Sequence, residues 1–417
     1  MSEGDQVGSA ATERTAETIS IVQRGNLKKL ETTLRKQWRL GQNIVLCWSL
    51  TDNGLLVLLV PHYFLGNYSA TQSSDSAGQK NKEEFIRKLI SGRRLKERDE
   101  FFEIANGIGI SPTYIKLDSV LSEESAVIES VEQTMKRYGI SYVENRAVFL
   151  FDISDFSLFT PFEQASQLNS LAYSLNSAYN KLLAKGIEVN FARTTTGDGF
   201  YVWNRETGSN SDLQLFQFML LAIADNATAR KASKGNTVPD IRTAFHSGSH
   251  YELYQAEGVN PTLFSYIVGD VTIELARLVD MAQPGQLFVG DFGVSKGLLS
   301  SSAEFIEQAD LSLDQLLGIQ LSGEEILKMQ CLLSTRSDDS DQQVRRYQIT
   351  DKHGISRYAY NLVINIETSD QQQLTLGLDN FLSEADENST KEERLGTVDG
   401  QAVGRLGKES KKSIVEK

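Results

Sequence analysis

Asp152 and Asp198 are the two side chains of this 417-residue chain whose type and placement could do chemistry together. Asp152 ends a short, wholly apolar run, residues 147–151, which suits a buried central strand. Asp198 occupies the tip of a Gly197-Asp198-Gly199 turn between two strand-like stretches, 187–193 and 200–203. A hairpin pairing beside the first strand brings both carboxylates to one edge of a sheet. There they repel each other unless cations lie between them. Magnesium suits such a pair, because it takes one or two carboxylates and fills its shell from water and substrate phosphates. The backbone carbonyl of Ile153 offers one more oxygen. Each acid also has a plainer reading: Asp-Gly is a common hairpin turn, and Asp152 or Asp155 would serve as a helix N-cap.

Several elements must position these acids. Residues 161–184 repeat apolar side chains at helical spacing (Phe162, Ala165, Leu168, Leu171, Leu175, Ala178, Leu182), and Gly186 stops the pattern. Further helices are expected over 213–231 and 271–282, with strands over 241–246, 264–268 and 286–289. Two β-α-β halves with an antiparallel pairing between them predict an α+β, ferredoxin-like antiparallel sheet with helices packed on one side.

At this point the residues resemble a known family. Phe151-Asp152-Ile153-Ser154-Asp155-Phe156-Ser157 is similar to the first metal motif of class III nucleotidyl cyclases, and Thr196-Gly197-Asp198-Gly199-Phe200 to the second. Ile241 to Gly248, Ile267-Val268-Gly269-Asp270 with Ala276-Arg277-Leu278, and Gln283-Pro284-Gly285-Gln286-Leu287 follow the family's order and spacing. The likeness spans roughly 146–292.

The resemblance implies a head-to-tail homodimer with shared active sites and a nucleoside triphosphate as substrate. It also implies two divalent cations, Mn²⁺ or Mg²⁺, on Asp152, Asp198 and the Ile153 carbonyl. Arg277, reaching across from the second subunit, is the implied catalytic residue, its fixed fork suited to charge growing on the α-phosphate. A helix-surface ion pair is its plainer reading. Departures from the family bear on the base. The purine-reading Lys is Thr194 here, its partner falls at Tyr266, and the ribose-orienting Asn is Ile273, with Glu274 or Thr272 as possible substitutes. Asp155 stands where the family usually has Gly. Phe156, Arg193, Thr194 and Tyr266 are the substrate-binding candidates. This pattern resembles most the bacterial uridylate and cytidylate cyclases of Pycsar antiphage systems. It implies UTP as substrate, cUMP as second messenger and a downstream cyclic-nucleotide-sensing effector. The alternatives are an adenylate or guanylate cyclase making cAMP or cGMP, and a non-catalytic nucleotide-binding regulator. His246 and His250 flank Ser247, but neither a third metal ligand nor a triad acid is spaced to join them, so His246 reads as a packed strand residue.

Composition sets the outer bounds. At 40 % apolar and 23 % charged, with 6 Pro, the chain reads as globular, which excludes a collagen or a wholly disordered protein. Charges of 42 Lys+Arg and 55 Asp+Glu leave −13, which argues against a whole-chain footprint for nucleic acid. Two cysteines, Cys47 and Cys331, exclude a disulfide framework and a Cys-based zinc cluster, and suit the cytoplasm. The start lacks a basic n-region before an apolar core, so no secretion signal is expected. The most apolar stretch, 44–65, is interrupted by Thr51, Asp52 and Asn53 and predicts a strand pair, so no membrane span is expected.

The expected domains are a disordered 1–18, an accessory α/β region over 19–122, and the cyclase domain over 123–300. A helical connector and small β-rich C-terminal domain follow over 301–380, with a disordered tail over 381–417. A basic run, Arg93, Arg94, Lys96 and Arg98, reads as a solvated helix face. Residues 69–82 read as a surface loop, and 311–333 as helical.

Overall fold

A computed structural model describes residues 19–70, 76–256, 263–293, 301–334, 346–350, 354–378 and 390–393. Most of both segments expected to be disordered lies outside these residues. The N-terminal unit holds α1 (Ile21–Trp38), β1 (Asn43–Thr51), β2 (Gly54–Pro61), α2 (Phe64–Ala70), α3 (Ser76–Ser91), α4 (Arg98–Ile108), β3 (Thr113–Lys116) and α5 (Ser125–Arg137). Its strands form a separate antiparallel sheet in the order β1-β2-β3. The apolar stretch read as a strand pair is that β1–β2 hairpin, turning at Thr51–Gly54. The expected loop over 69–82 is largely taken up by α2 and α3.

The basic run is not one helix face. Residues 92–97 are not helical, and Arg94 is fully buried. Its guanidinium donates to the carbonyl oxygens of Val45 and, at 2.6 Å, Ile140, and to Ser141 Oγ at 3.2 Å. Glu132 on α5 accepts from the Arg94 amide at 2.7 Å and from Trp48 Nε1 at 2.9 Å. Burial pulls the Arg94 pKa down to about 10 while Glu132 opposes it. A buried arginine persists only with this many partners.

The second unit begins with β4 (Ile140–Ile153), followed by α6 (Pro161–Ala184), β5 (Phe191–Thr195), β6 (Gly199–Asn204), α7 (Ser209–Ala232), β7 (Ile241–Ala256), β8 (Leu263–Val268), α8 (Asp270–Met281) and β9 (Leu287–Gly290). Its central strands run β9-β7-β4-β6-β5, with β7–β9 parallel and the other neighbours antiparallel. Alternation along β4 divides its side chains between two cores. Phe149, Phe151 and Ile153 meet α6 and α7 on one face, while Val148 and Leu150 meet α8 on the other. Helices therefore cover both faces, because α8 carries its own apolar stripe (Val271, Leu275, Leu278).

The described strands after β9 continue this sheet. After α9 (Ser302–Ser312) come β10 (Gln320–Leu321), β11 (Glu324–Leu333), β12 (Arg346–Thr350), β13 (Ser356–Thr368), β14 (Gln373–Leu376) and β15 (Thr390–Glu393). Residues 311–333 are thus mostly a hairpin, corrected from helix by the Ser322-Gly323 turn, both residues at positive φ. β13 pairs with β9, and Ile326, Leu362, Ile364 and Ile366 share the α6/α7 core.

Candidate active site

The ladder brings the two acids together. Asp152 pairs with Gly199 on β6, next to Asp198, and the Ile153 amide donates to the Asp198 carbonyl at 2.9 Å. Gly199 is required by this approach: a Cβ there would lie 1.8 Å from the Phe151 carbonyl oxygen. Gly197, at φ 106°, turns the hairpin tip. Asp198 Oδ1 accepts from Thr196 Oγ1 at 3.1 Å. Burial raises the Asp152 pKa, with the charges of Asp198 and Asp280 adding to it and Arg242 opposing.

Arg242 had no role in the sequence reading. It lies directly opposite Asp152 in the β4–β7 pairing and donates from Nε, at 2.9 Å, and from Nη2 to Asp152 Oδ2. The sequence signal was the position of Arg242 one residue into the Ile241 strand. It becomes legible only once the β4–β7 register is known. Tyr201 is a second addition. Its hydroxyl donates to the Thr272 carbonyl at 3.0 Å, pinning α8 to β6, and burial pushes its pKa up to about 12.

The remaining candidates fall in different places. Register puts Thr194 opposite Tyr201, and Tyr201 opposite Leu150, so Thr194 shares the sheet face of Asp152. Arg193, one residue away, faces the other side, its guanidinium 5.2 Å from the centre of the Phe200 ring. Tyr266 is opposite Leu253 on β8, a strand that packs along β5. Phe156 lies in a 3-10 turn, Phe156–Leu158, half-buried against the α6/α7 core, and its carbonyl accepts from Gln164 Nε2 at 3.0 Å. Arg277, on α8, donates to Asp280 Oδ2 at 3.3 Å. Neither substitute for the ribose-orienting Asn is idle: Thr272 Oγ1 is spent on the Gly269 carbonyl at 2.8 Å, and Glu274 lies 2.8 Å from Arg357 Nε.

A different site lies at the far end of β4. A cavity of about 1070 Å³ is lined there by Arg146, Arg205, Asp212 and Glu252. Arg146 pairs with Glu252 at 3.0 Å and lies 3.3 Å from His250 Nε2. His250 is buried and His246 half-buried, and both are held neutral, their pKa values lowered to about 4 by desolvation. Burial pushes the Cys47 thiol up to about 12 and raises Cys331 too, so neither is a nucleophile at neutral pH.

Among the described residues no three His, Cys, Asp or Glu side chains are grouped to hold a metal, and no helix is long and apolar enough to cross a membrane. The Asp152–Asp198 pair offers hard oxygen donors only. That set fits Mg²⁺ or Mn²⁺ whose other ligands come from water and a phosphate substrate, and does not fit a closed protein cage.

No family model and no curated protein matches the chain. Solved structures similar to it include guanylyl and adenylyl cyclases. The guanylate cyclase domain of RhGC from Catenaria anguillulae, solved with GTP, is 16% identical over 53% of this chain and 97% of its own, at TM-score 0.32. The adenylyl cyclase CyaB from P. aeruginosa is 12% identical over 54% and 95%, at TM-score 0.33. Adenylate cyclases from Trypanosoma brucei, in their monomeric state, are 10% identical over 57% and 94%, at TM-score 0.28.

Proposed function

We propose that the protein is a nucleotidyl cyclase, converting a nucleoside triphosphate to a 3′,5′-cyclic nucleotide and diphosphate. The observation that carries this reading is the meeting of Asp152 and Asp198 at one end of adjacent strands, locked by the Ile153–Asp198 hydrogen bond. Asp152, Asp198 and the Ile153 carbonyl would hold two Mg²⁺ or Mn²⁺ ions. Bound there, they would supply charge neutralisation at the attacking and departing oxygens of phosphoryl transfer. The chain's own residues orient and select. Arg242 fixes the Asp152 carboxylate, and Tyr201 holds α8 against the strand that follows Asp198. Arg277 serves as a guanidinium for the α-phosphate of a neighbouring subunit in a homodimer, once released from Asp280.

For the base, Thr194 and Tyr266 replace the charged pair that reads a purine, and Arg193 drops out because it faces the other side of β5. A hydroxyl donor facing a pyrimidine carbonyl, with an aromatic wall limiting ring size, favours UTP, with cUMP as product. Such a messenger would suit antiphage signalling through a cyclic-nucleotide-sensing effector in the cytoplasm. ATP or GTP is the alternative substrate.

The test is diphosphate release from each of the four NTPs in Mn²⁺. UTP alone is the expected substrate, and Asp198→Ala is expected to lower turnover at least a hundredfold without changing the oligomeric state. Release with ATP or GTP alone would move the assignment to purines. A second reading, a nucleotide-binding regulator without turnover, is favoured by one observation: Asp152 and Arg277 are both engaged by partners of their own chain. Silence with all four NTPs, together with retained nucleotide binding, would establish it.

A further inference from the structure

Arg242 stands in register across the ladder from Asp152, on a strand whose backbone is paired along most of its length. Both side chains are largely sheltered from water, at 25% and 13% exposure, and both contacts go to one oxygen, Oδ2. Oδ1 lies outside that fork. The other charges around the pair are Asp198 at the hairpin tip and Asp280, with Arg277 beside it, on α8.

We infer that Arg242 is a positioning residue that holds the Asp152 carboxylate in place before any metal arrives and keeps the site's affinity for a bare cation low. The inference rests on the reading of Asp152 and Asp198 as metal ligands. A fixed positive charge at salt-bridge distance repels an incoming divalent cation and occupies one of the two oxygens it would use. A triphosphate brings compensating negative charge, so metal and nucleotide enter together and the bare ion does not precede the nucleotide. Arginine is suited to the task because its rigid fork keeps its geometry and it never loses its charge.

The experiment is a titration of the full chain with Mn²⁺ in the absence of nucleotide, free ion being read by electron paramagnetic resonance. Neutral variants R242Q and R242M are expected to bind Mn²⁺ about tenfold more tightly than the wild type, as befits loss of one unit charge in a partly buried site. R242K, which keeps the charge, should stay within about threefold of the wild type. Melting temperatures identify the folded variants, and either neutral variant suffices. Unchanged or weaker binding in a folded neutral variant overturns the inference. D152N separates the two levels. If it abolishes Mn²⁺ binding while the Arg242 variants behave as wild type, the metal reading stands and the role of Arg242 falls. If D152N leaves binding unaltered, both fall.

Discussion

Asp155 shows how a departure from a family pattern becomes intelligible one residue at a time. Its backbone is left-handed, φ 55° and ψ 24°, at the entry to the Phe156–Leu158 turn. Glycine reaches that conformation freely, and aspartate is among the few other residues that tolerate it. Asp155→Gly should therefore leave stability nearly unchanged, while Asp155→Val should cost about 1–2 kcal/mol, measured by urea unfolding. The two strand histidines make a pH prediction. For His246 and His250 a folded pKa near 4, below the ordinary value of 6.5, means unfolding takes up protons. Stability is then complete above about pH 6.5 and falls as pH drops toward 4. Asp212, raised to about 6 chiefly by burial, acts in the opposite sense, losing stability as pH rises from 4 to 6. His246→Leu should flatten the acid-side decline by about one proton in denaturant titrations run between pH 4 and 7. An unchanged slope would refute the neutral assignment.

Elements were legible where caps and periodicity agreed. The 161–184 helix appears unchanged as α6, because Pro161 and the Thr160–Glu163 capping box mark its start. The two acids were legible for a related reason: an apolar run and an Asp-Gly turn are local signals. Arg242 was not, because its role depends on register between strands about ninety residues apart. Residues 311–333 misled because β11 is buried only at Ile326, Met329 and Cys331, a spacing that mimics a helix over one turn. Arg94 misled for a different reason, since composition cannot say which member of a basic run will be enclosed. Its enclosure gives a prediction. Arg94→Met would leave the Val45 and Ile140 carbonyls without their donor and remove the charge that faces Glu132, and should destabilise the fold by about 2–6 kcal/mol. A Tm within a degree or two of the wild type would show the network to be dispensable.

For the whole molecule, the C-terminal strands decide where the chain can be cut. The sequence suggested a small separate module over 301–380, since its apolar strands carry no sign of which sheet they join. β13 instead extends the central sheet from β9, and Tyr347, Ile349 and Ala359 cover the core beneath α8. Arg357 also reaches Glu274 on the helix that bears Arg277. A chain ended at residue 334 should therefore aggregate on expression and should not yield a deregulated soluble enzyme, a result visible in gel filtration. The Arg94 contacts carry a last consequence for how the molecule comes together. Val45 and Ile140, whose carbonyls share one guanidinium, are separated by almost a hundred residues, so that cation stays hydrated until the N-terminal sheet and the start of β4 have formed and met. Closure is then a single event, and slow amide exchange in the first residues of β1 and of β4 should report one common opening free energy.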